Sequence, residues 1–470
     1  MAEAMPAEGN EFDSAPASSE IRESQAVPGP PEKPIAPAEE FSKGADGPPP
    51  GNLPNWRVWL AWGAIALGLI LFIRSAYRSQ QQRAAAELTA EGVELLKSDR
   101  AEEALERFDR AVALDPTQAS PWANRAAAHI DLENFDQARA DCEKALEQNP
   151  NEAVALANLG LILRRAGDLE RARDVLSKAV ARDPTLGQAR LILCSVEFDL
   201  GQTDTALRDA TEALHLMHHP PEMARAFELR GLIHLRNRDF SAALSDFSEA
   251  ARLDPERAEL QSRLAEVFEH REEFVPAEAH ATRAIELGPG SSSAWTARAN
   301  IRLRVRKFTE AIGDCDQALA LEPQTFLALT IRGGCRIELG EFAQGIADCN
   351  AALEVEPQAI VPLLFRGDAY RKQGENAKAV DDYSEVIRRN PEMHLAWFGR
   401  GIARAQERNY DAAIADYTRV LEIDPDFAPA WFNRGLAYEA LGDTERARSD
   451  RMKALEIDPT IGNMGRTESA

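Results

Sequence analysis

Residues 394–427 read HLAWFGRGIARAQERNYDAAIADYTRVLEIDPDF, and the 34 residues after them repeat the outline. Trp397, Gly401, Ala413 and Pro425 return as Trp431, Gly435, Ala447 and Pro459, at positions 4, 8, 20 and 32 of a 34-residue unit, and Tyr417 marks position 24. Counted backwards, Pro116, Pro150 and Pro184 are 34 apart, and so are Pro221, Pro255, Pro289, Pro323, Pro357, Pro391, Pro425 and Pro459. The step from Pro184 to Pro221 alone differs, at 37. Self-similarity at a fixed period of this size means a stack of one supersecondary unit rather than a set of globular domains.

The frame gives eleven units, starting at Ala85, Ala119, Ala153, Gly187, Ala224, Ala258, Ser292, Phe326, Ile360, His394 and Ala428. Position 20 is Ala in ten and Gly345 in the other; position 8 is Gly in seven, Ala in three and Cys194 in one; position 27 is Ala in nine. Small residues there let two antiparallel helices approach closely, ridge into groove. Large side chains fill the remaining space, with Trp122, Trp295, Trp397 and Trp431 at position 4 and Phe108, Phe247, Tyr383 and Tyr417 at position 24. Proline at position 32 ends the second helix and suits the first turn of the next. Each unit should be helix, tight turn, helix, tight turn, and the fold class all-α. One unit cannot bury its apolar face alone, so copies must stack.

The outline resembles the tetratricopeptide repeat (TPR) family over roughly four fifths of the chain. That resemblance implies a right-handed superhelical solenoid across 85–461, whose first helices line a concave groove for a peptide or protein partner. It assigns the lining to positions 2, 5, 9 and 12 of the first helix. In the last four units these are Leu327, Thr330, Gly334 and Ile337; Val361, Leu364, Asp368 and Arg371; Leu395, Phe398, Ile402 and Ala405; and Pro429, Phe432, Leu436 and Glu439. An apolar strip bordered by charge suits peptide anchoring, and the candidate partner-binding residues are Leu327, Leu364, Leu395, Phe398, Ile402, Phe432 and Leu436. The competing reading is that Phe398, Ile402 and Leu436 merely pack between adjacent first helices.

Some TPR proteins grip the acidic C-terminal tail of heat-shock chaperones with a carboxylate clamp. It takes Lys at 5 and Asn at 9 of one unit, Asn at 6 of the next, and Lys at 2 with a basic residue at 6 of the third. Asn124 meets the middle requirement, but its neighbours offer Thr89, Val93, Val154 and Asn158, so a chaperone tail is not expected as the ligand. Asn124 and Asn158 also echo the asparagine-lined groove of O-GlcNAc transferases, without a recognisable catalytic domain.

Position 7 is Arg in seven units: Arg125, Arg230, Arg298, Arg332, Arg366, Arg400 and Arg434. Aspartates recur at position 23, among them Asp141, Asp246, Asp314, Asp348, Asp382 and Asp416. Pairing between helices of neighbouring units is expected to consume this ladder, against the alternative that it binds an acidic partner. The formal net charge is −23, divided as −7 over 1–56, +4 over 57–84 and −20 over the repeats, a balance that repels phosphate backbones and argues against nucleic acid. Cys142, Cys315 and Cys349 share position 24, with Cys194 at 8 and Cys335 at 10, which suits small apolar filling rather than a zinc or redox site.

No phosphate-cradling loop, HExxH or nucleophile elbow occurs, so no enzyme and no cofactor is expected. The 37-residue step inserts a histidine cluster, His215, His218 and His219, placed here at the exit of the second helix of unit 4. His215 and His219 are four apart, a spacing able to chelate on one helix face; an exposed loop is the plainer account.

Residues 1–55 hold eleven prolines and ten acidic residues and read as a disordered acidic tail, as the polar 462–470 reads as a second one. Val58 to Ile73 is sixteen residues without a charge, between Arg57 and Arg74, with Trp56, Trp59 and Tyr77 placed for interfacial belts. A transmembrane helix over 56–74 fits better than a signal peptide or a buried soluble helix, since snorkelling arginines extend a span of about 24 Å toward a hydrocarbon core of about 30 Å. Residues 75–84, without Gly or Pro, should form a helical stalk. Lys43 and Arg57 against Arg74, Arg78 and Arg83 give a bias of one charge toward cytoplasmic repeats. The function expected is a membrane-anchored scaffold that binds a protein or peptide partner in its groove, with a subunit of a protein-translocation or envelope-assembly complex as the alternative.

Overall fold

The computed structural model describes residues 55–461, and every stretch that the period marks as helical is helical in it. The expected tails at 1–55 and 462–470 lie outside the described residues, Asn55 apart. Among the described residues there are 22 α-helices and no strand. The first helix, Asn55–Lys97, runs without a break and ends as the first helix of unit 1. All eleven second helices are 14 residues long, from Ala101–Leu114 to Thr444–Ile457.

Contacts divide the chain between Ile73 and Arg74. On the N-terminal side, the described side chains from Trp59 to Ile73 are exposed. This is the one helix, among the described residues, long and apolar enough to cross a membrane, with a mean hydropathy of 1.7.

In the repeats, the turn inside each unit has a strict backbone requirement. Position 15 has positive φ in all eleven units. Five units meet it with glycine, Gly167, Gly201, Gly340, Gly374 and Gly442; the other six place Asp99, Glu133, Arg238, Glu272, Arg306 and Arg408 there, at φ 58 to 62°. A side chain in this left-handed region strains the backbone, whereas glycine does not. Arg408→Gly is therefore expected to stabilise the stack by about 0.5–1 kcal/mol, read as a higher urea midpoint, while Arg408→Ala gives no gain.

Positions 8 and 24 trade volume across the helix pair. Where position 24 is large, position 8 is glycine: a Cβ on Gly231 would stand 2.8 Å from the Phe247 ring, and one on Gly401 2.6 Å from that of Tyr417. Where position 24 is Cys142 or Cys315, position 8 grows to Ala126 or Ala299, and where it shrinks to Ala210, position 8 is Cys194. The core is a row of small clusters joining neighbouring units, such as Ala126, Ala138 and Cys142 with Ile162 of the next unit. First helices also touch the first helix of the following unit along most of the stack, and no two second helices pack in this way. The first-helix face is the crowded one.

The three extra residues do not lie where the sequence reading put them. The second helix of unit 4, Thr203–Leu216, keeps its 14 residues, and the first helix of unit 5 is extended instead, Pro220–Arg236, with Pro220 and Pro221 in its first turn. Proline lacks the N–H that a first turn leaves unpaired, so the new turn grows on the N-terminal side. Met217, between the helices, is buried against Ala213 and Ala226. On the last second helix Met452 and Leu455 are exposed.

Candidate functional site

The arginine ladder is a built network. All seven position-7 arginines hold the position-23 aspartate of their own unit with two nitrogens, Nε and Nη2, at 2.6 to 3.1 Å. The principal pair thus joins two helices of one unit, which corrects the expectation of pairing between units. The third nitrogen, Nη1, does cross to the preceding unit, where position 25 supplies Asp109, Thr211, Thr282, Asp316, Asn350, Ser384 or Thr418. Five of the arginines lie over the aromatic ring at position 4, with centroids 4.7 to 5.5 Å away. Each position-4 tryptophan in turn donates its Nε1–H to the carbonyl of the preceding position-32 proline, as Trp397 does to Pro391 at 2.8 Å. Position 11 adds a second cation in units 7, 8 and 10, where Arg302, Arg336 and Arg404 reach the same aspartates at 2.7 to 2.8 Å. The fork geometry of guanidinium explains why lysine never takes position 7.

The ladder has informative exceptions. Unit 1 reverses it, Glu91 pairing with Arg107 at 3.2 Å. Unit 3 replaces it by an apolar set, Leu159, Leu163 and Val175. Unit 4 keeps Asp209 but has Leu193 at position 7 and Glu197 at position 11. Burial first, then the charge of Asp209, pushes the Glu197 carboxyl up to about 7.

The proposed groove residues divide. Leu327 and Leu436 are exposed, at 38 % and 39 %. Leu364, Leu395, Phe398, Ile402 and Phe432 are half-buried. Phe398 is committed to an aromatic cluster, 5.1 Å from Phe427 and 5.9 Å from Tyr417 between ring centroids. Leu364 packs beside Leu363 and Tyr383, and Phe432 against Ala428, Ala454 and Ile461. A charged pair interrupts the apolar strip: Tyr383 donates its hydroxyl to Asp368 at 2.7 Å, and Arg371 reaches the same carboxylate at 3.4 Å.

Other candidates resolve into structure. Asn158 spends its amide on the carbonyl of Ala123 at 2.9 Å, and Asn124 on that of Ser120, also at 2.9 Å. His215 closes one helix and His219 caps the next, so the two do not share a helix face. Among the described residues no three His, Cys, Asp or Glu side chains converge as a metal site. All five cysteines are buried thiols, and burial pushes Cys142, Cys335 and Cys349 up to about 12, far from a reactive thiolate. The Nη1 acceptors at position 25 and the cations at position 11 escaped sequence reading. Their signal lay in the period: position 25 is polar in every unit but the last, where it is Met452.

Eleven helix pairs stacked on a 34-residue period define a helical-repeat solenoid. A model described as tetratricopeptide repeat matches residues 123–186, 195–251, 229–292, 296–360 and 366–426, and a second of the same description matches 416–449; the chain belongs to the tetratricopeptide repeat family. It is similar to sperm-associated antigen 1 of Homo sapiens, 31% identical over 126 residues that cover 27% of this chain and 14% of that protein. It is similar as well to stress-induced-phosphoprotein 1 of Caenorhabditis elegans, 25% identical over 182 residues, 37% of this chain and 53% of the other. The chain spans 12% to 34% of the length of its relatives from Homo sapiens, Mus musculus and Dictyostelium discoideum. Among solved structures, a tetratricopeptide repeat protein from Parabacteroides merdae aligns with a TM-score of 0.44 at 18% identity, over 52% of this chain and 97% of that one.

Proposed function

We propose that this chain is a membrane-anchored scaffold that holds a protein partner along the first-helix face of units 8 to 11. The observation that carries the reading is the contrast on that face: units 8 to 11 pair every position-7 arginine with the position-23 aspartate of the same unit, yet leave Leu327, Val361 and Leu436 exposed at the lining positions of first helices. Apolar side chains held on rigid helices, with Asp368 and Arg371 among them, suit an amphipathic segment laid across the face. The helix over 58–73 supplies the anchor, for it carries no charged side chain and a helix satisfies its own backbone polar groups.

The test uses the exposed members of the strip, since Phe398 and Phe432 also support the interior. Leu327→Asp and Leu436→Asp together should remove at least nine tenths of the partner captured by the full-length chain in detergent, with helicity and melting temperature unchanged. Undiminished capture removes the strip from the function. Deleting 58–73 should release the chain from the membrane fraction; a deletion variant that stays with lipid overturns the anchor.

A further inference from the structure

Unit 4 breaks the ladder in a way no other unit does. Asp209 keeps position 23, but Leu193 stands where seven units have arginine, and Glu197 stands where units 7, 8 and 10 have a second arginine. Two carboxyl groups therefore face the place from which the guanidinium is missing. Glu197 is 6 % exposed and its Oε2 has no hydrogen-bond partner. In place of a two-pronged guanidinium, Asp209 has Arg190 Nη1 at 3.3 Å and Arg208 Nε at 3.9 Å, and Arg190 is shared with Glu212. Unit 3 shows how the ladder is discarded without a vacancy, by making all three positions apolar. Unit 4 does the opposite.

The space is present as well as the charge. A depression of about 370 Å³ opens to solvent here, bounded by Leu193, Glu197 and Asp209 of unit 4 and by Ser177 of unit 3. Ser177 holds position 25, from which Ser384 and Thr418 accept an Nη1–H at 3.0 Å in later units. Its hydroxyl donates to the carbonyl of Arg173 at 2.8 Å, as that of Thr418 donates to Ile414 while accepting from Arg434, so its lone pairs stay open to a guanidinium. The acceptors of a position-7 guanidinium are thus in place around an opening whose floor is a leucine.

We propose that this depression receives an arginine side chain from a basic partner protein, its guanidinium meeting the adjacent Asp209 and Glu197 carboxyl groups as position 7 supplies one elsewhere. A planar fork suits the site better than a metal ion, for which no third ligand converges. The net charge of −20 over the repeats draws such a partner in. The charged groups around the opening are Arg190 and Glu197 on the first helix and Arg208, Asp209 and Glu212 on the second; unit 3 contributes the uncharged Ser177, Val180 and Ala181. Glu197, brought to about 7, holds a proton in the empty site and releases it when a cation enters, so binding tightens as pH rises through neutrality. This site is separate from the apolar strip and stands or falls independently of it.

Acetyl-arginine amide, titrated into the full-length chain in detergent and followed by melting temperature and methyl chemical shifts, is the test. Saturable binding is expected, up to about tenfold weaker at pH 6 than at pH 8. Glu197→Gln should weaken it tenfold or more and remove the pH dependence. Leu193→Arg, which supplies the guanidinium from within, should abolish it, while Leu327→Asp with Leu436→Asp leaves it unchanged. Absence of binding to the wild-type chain, or equal binding by Glu197→Gln, overturns the proposal. So does undiminished binding by a folded Leu193→Arg; if that variant fails to fold, Glu197→Gln decides alone.

Discussion

Asp416→Ala is expected to destabilise the stack by about 3–5 kcal/mol, the largest effect of any single ladder substitution. Asp416 is 1 % exposed and accepts from Arg400 Nε at 3.1 Å and Nη2 at 2.8 Å, and from Arg404 Nη1 at 2.8 Å. Truncation leaves two half-buried guanidinium groups facing an apolar gap. The loss comes from stranding them, not from the intrinsic worth of the pair. The triple change Arg400→Leu, Arg404→Leu and Asp416→Val recreates the Leu159, Leu163 and Val175 set of unit 3. It should return stability to within about 1 kcal/mol of wild type, because an apolar set of similar volume removes the desolvation of three charges. Urea midpoints, with amide exchange in 394–427 to localise the opening, measure both. An Asp416→Ala midpoint equal to wild type would mean that the ladder stabilises nothing.

Gly345→Ala carries the second large effect, and its sign is the interesting part. Ten units have alanine at this position, and alanine is the better helix former by about 1 kcal/mol, so consensus reasoning expects a gain. In unit 8 the two helices leave no room for a methyl at this point. A Cβ on Gly345 would stand 2.6 Å from Ile337 Cγ1 and 2.9 Å from the carbonyl oxygen of Gly333. The side chain can shift; the backbone oxygen cannot without parting the helices. A net loss of about 1–3 kcal/mol is expected, seen as a lower urea midpoint. Ile337→Ala should not rescue it, since the backbone contact remains. A stabilised Gly345→Ala variant would show that unit 8 has room for the methyl.

Gly333, Gly345 and Cys349 show what differs here. Position 24 holds a small thiol, yet position 8 did not enlarge to compensate, as Ala126 and Ala299 do opposite Cys142 and Cys315. A consensus table hides this, because it reports each column alone and the volume is conserved only across columns.

Much of the candidate chemistry was legible in the chain, but its geometry was not. Arg400 and Asp416 announce themselves by recurring 16 apart, since a period exposes any pair that must meet in every copy. That the third nitrogen of Arg400 would cross to Ser384 of the preceding unit depends on how units stack, which no single unit specifies. Phe398 and Leu436 look alike as lining residues in the sequence, yet one is drawn into a ring cluster with Phe427 and Tyr417 while the other stays open to solvent. Superhelical packing, not residue type, separates them.

The sequence by itself determined the number of units, the helix pair in each, and the small-against-large volume rule at positions 8 and 24, because short-range sterics and a repeated period leave little freedom. Tertiary structure alone decided which helix absorbed the three extra residues, where the arginine forks close, and that Glu197 and Asp209 come together beside an opening to solvent. Those outcomes depend on contacts between residues far apart in the chain, whose distances are set only once neighbouring units have docked.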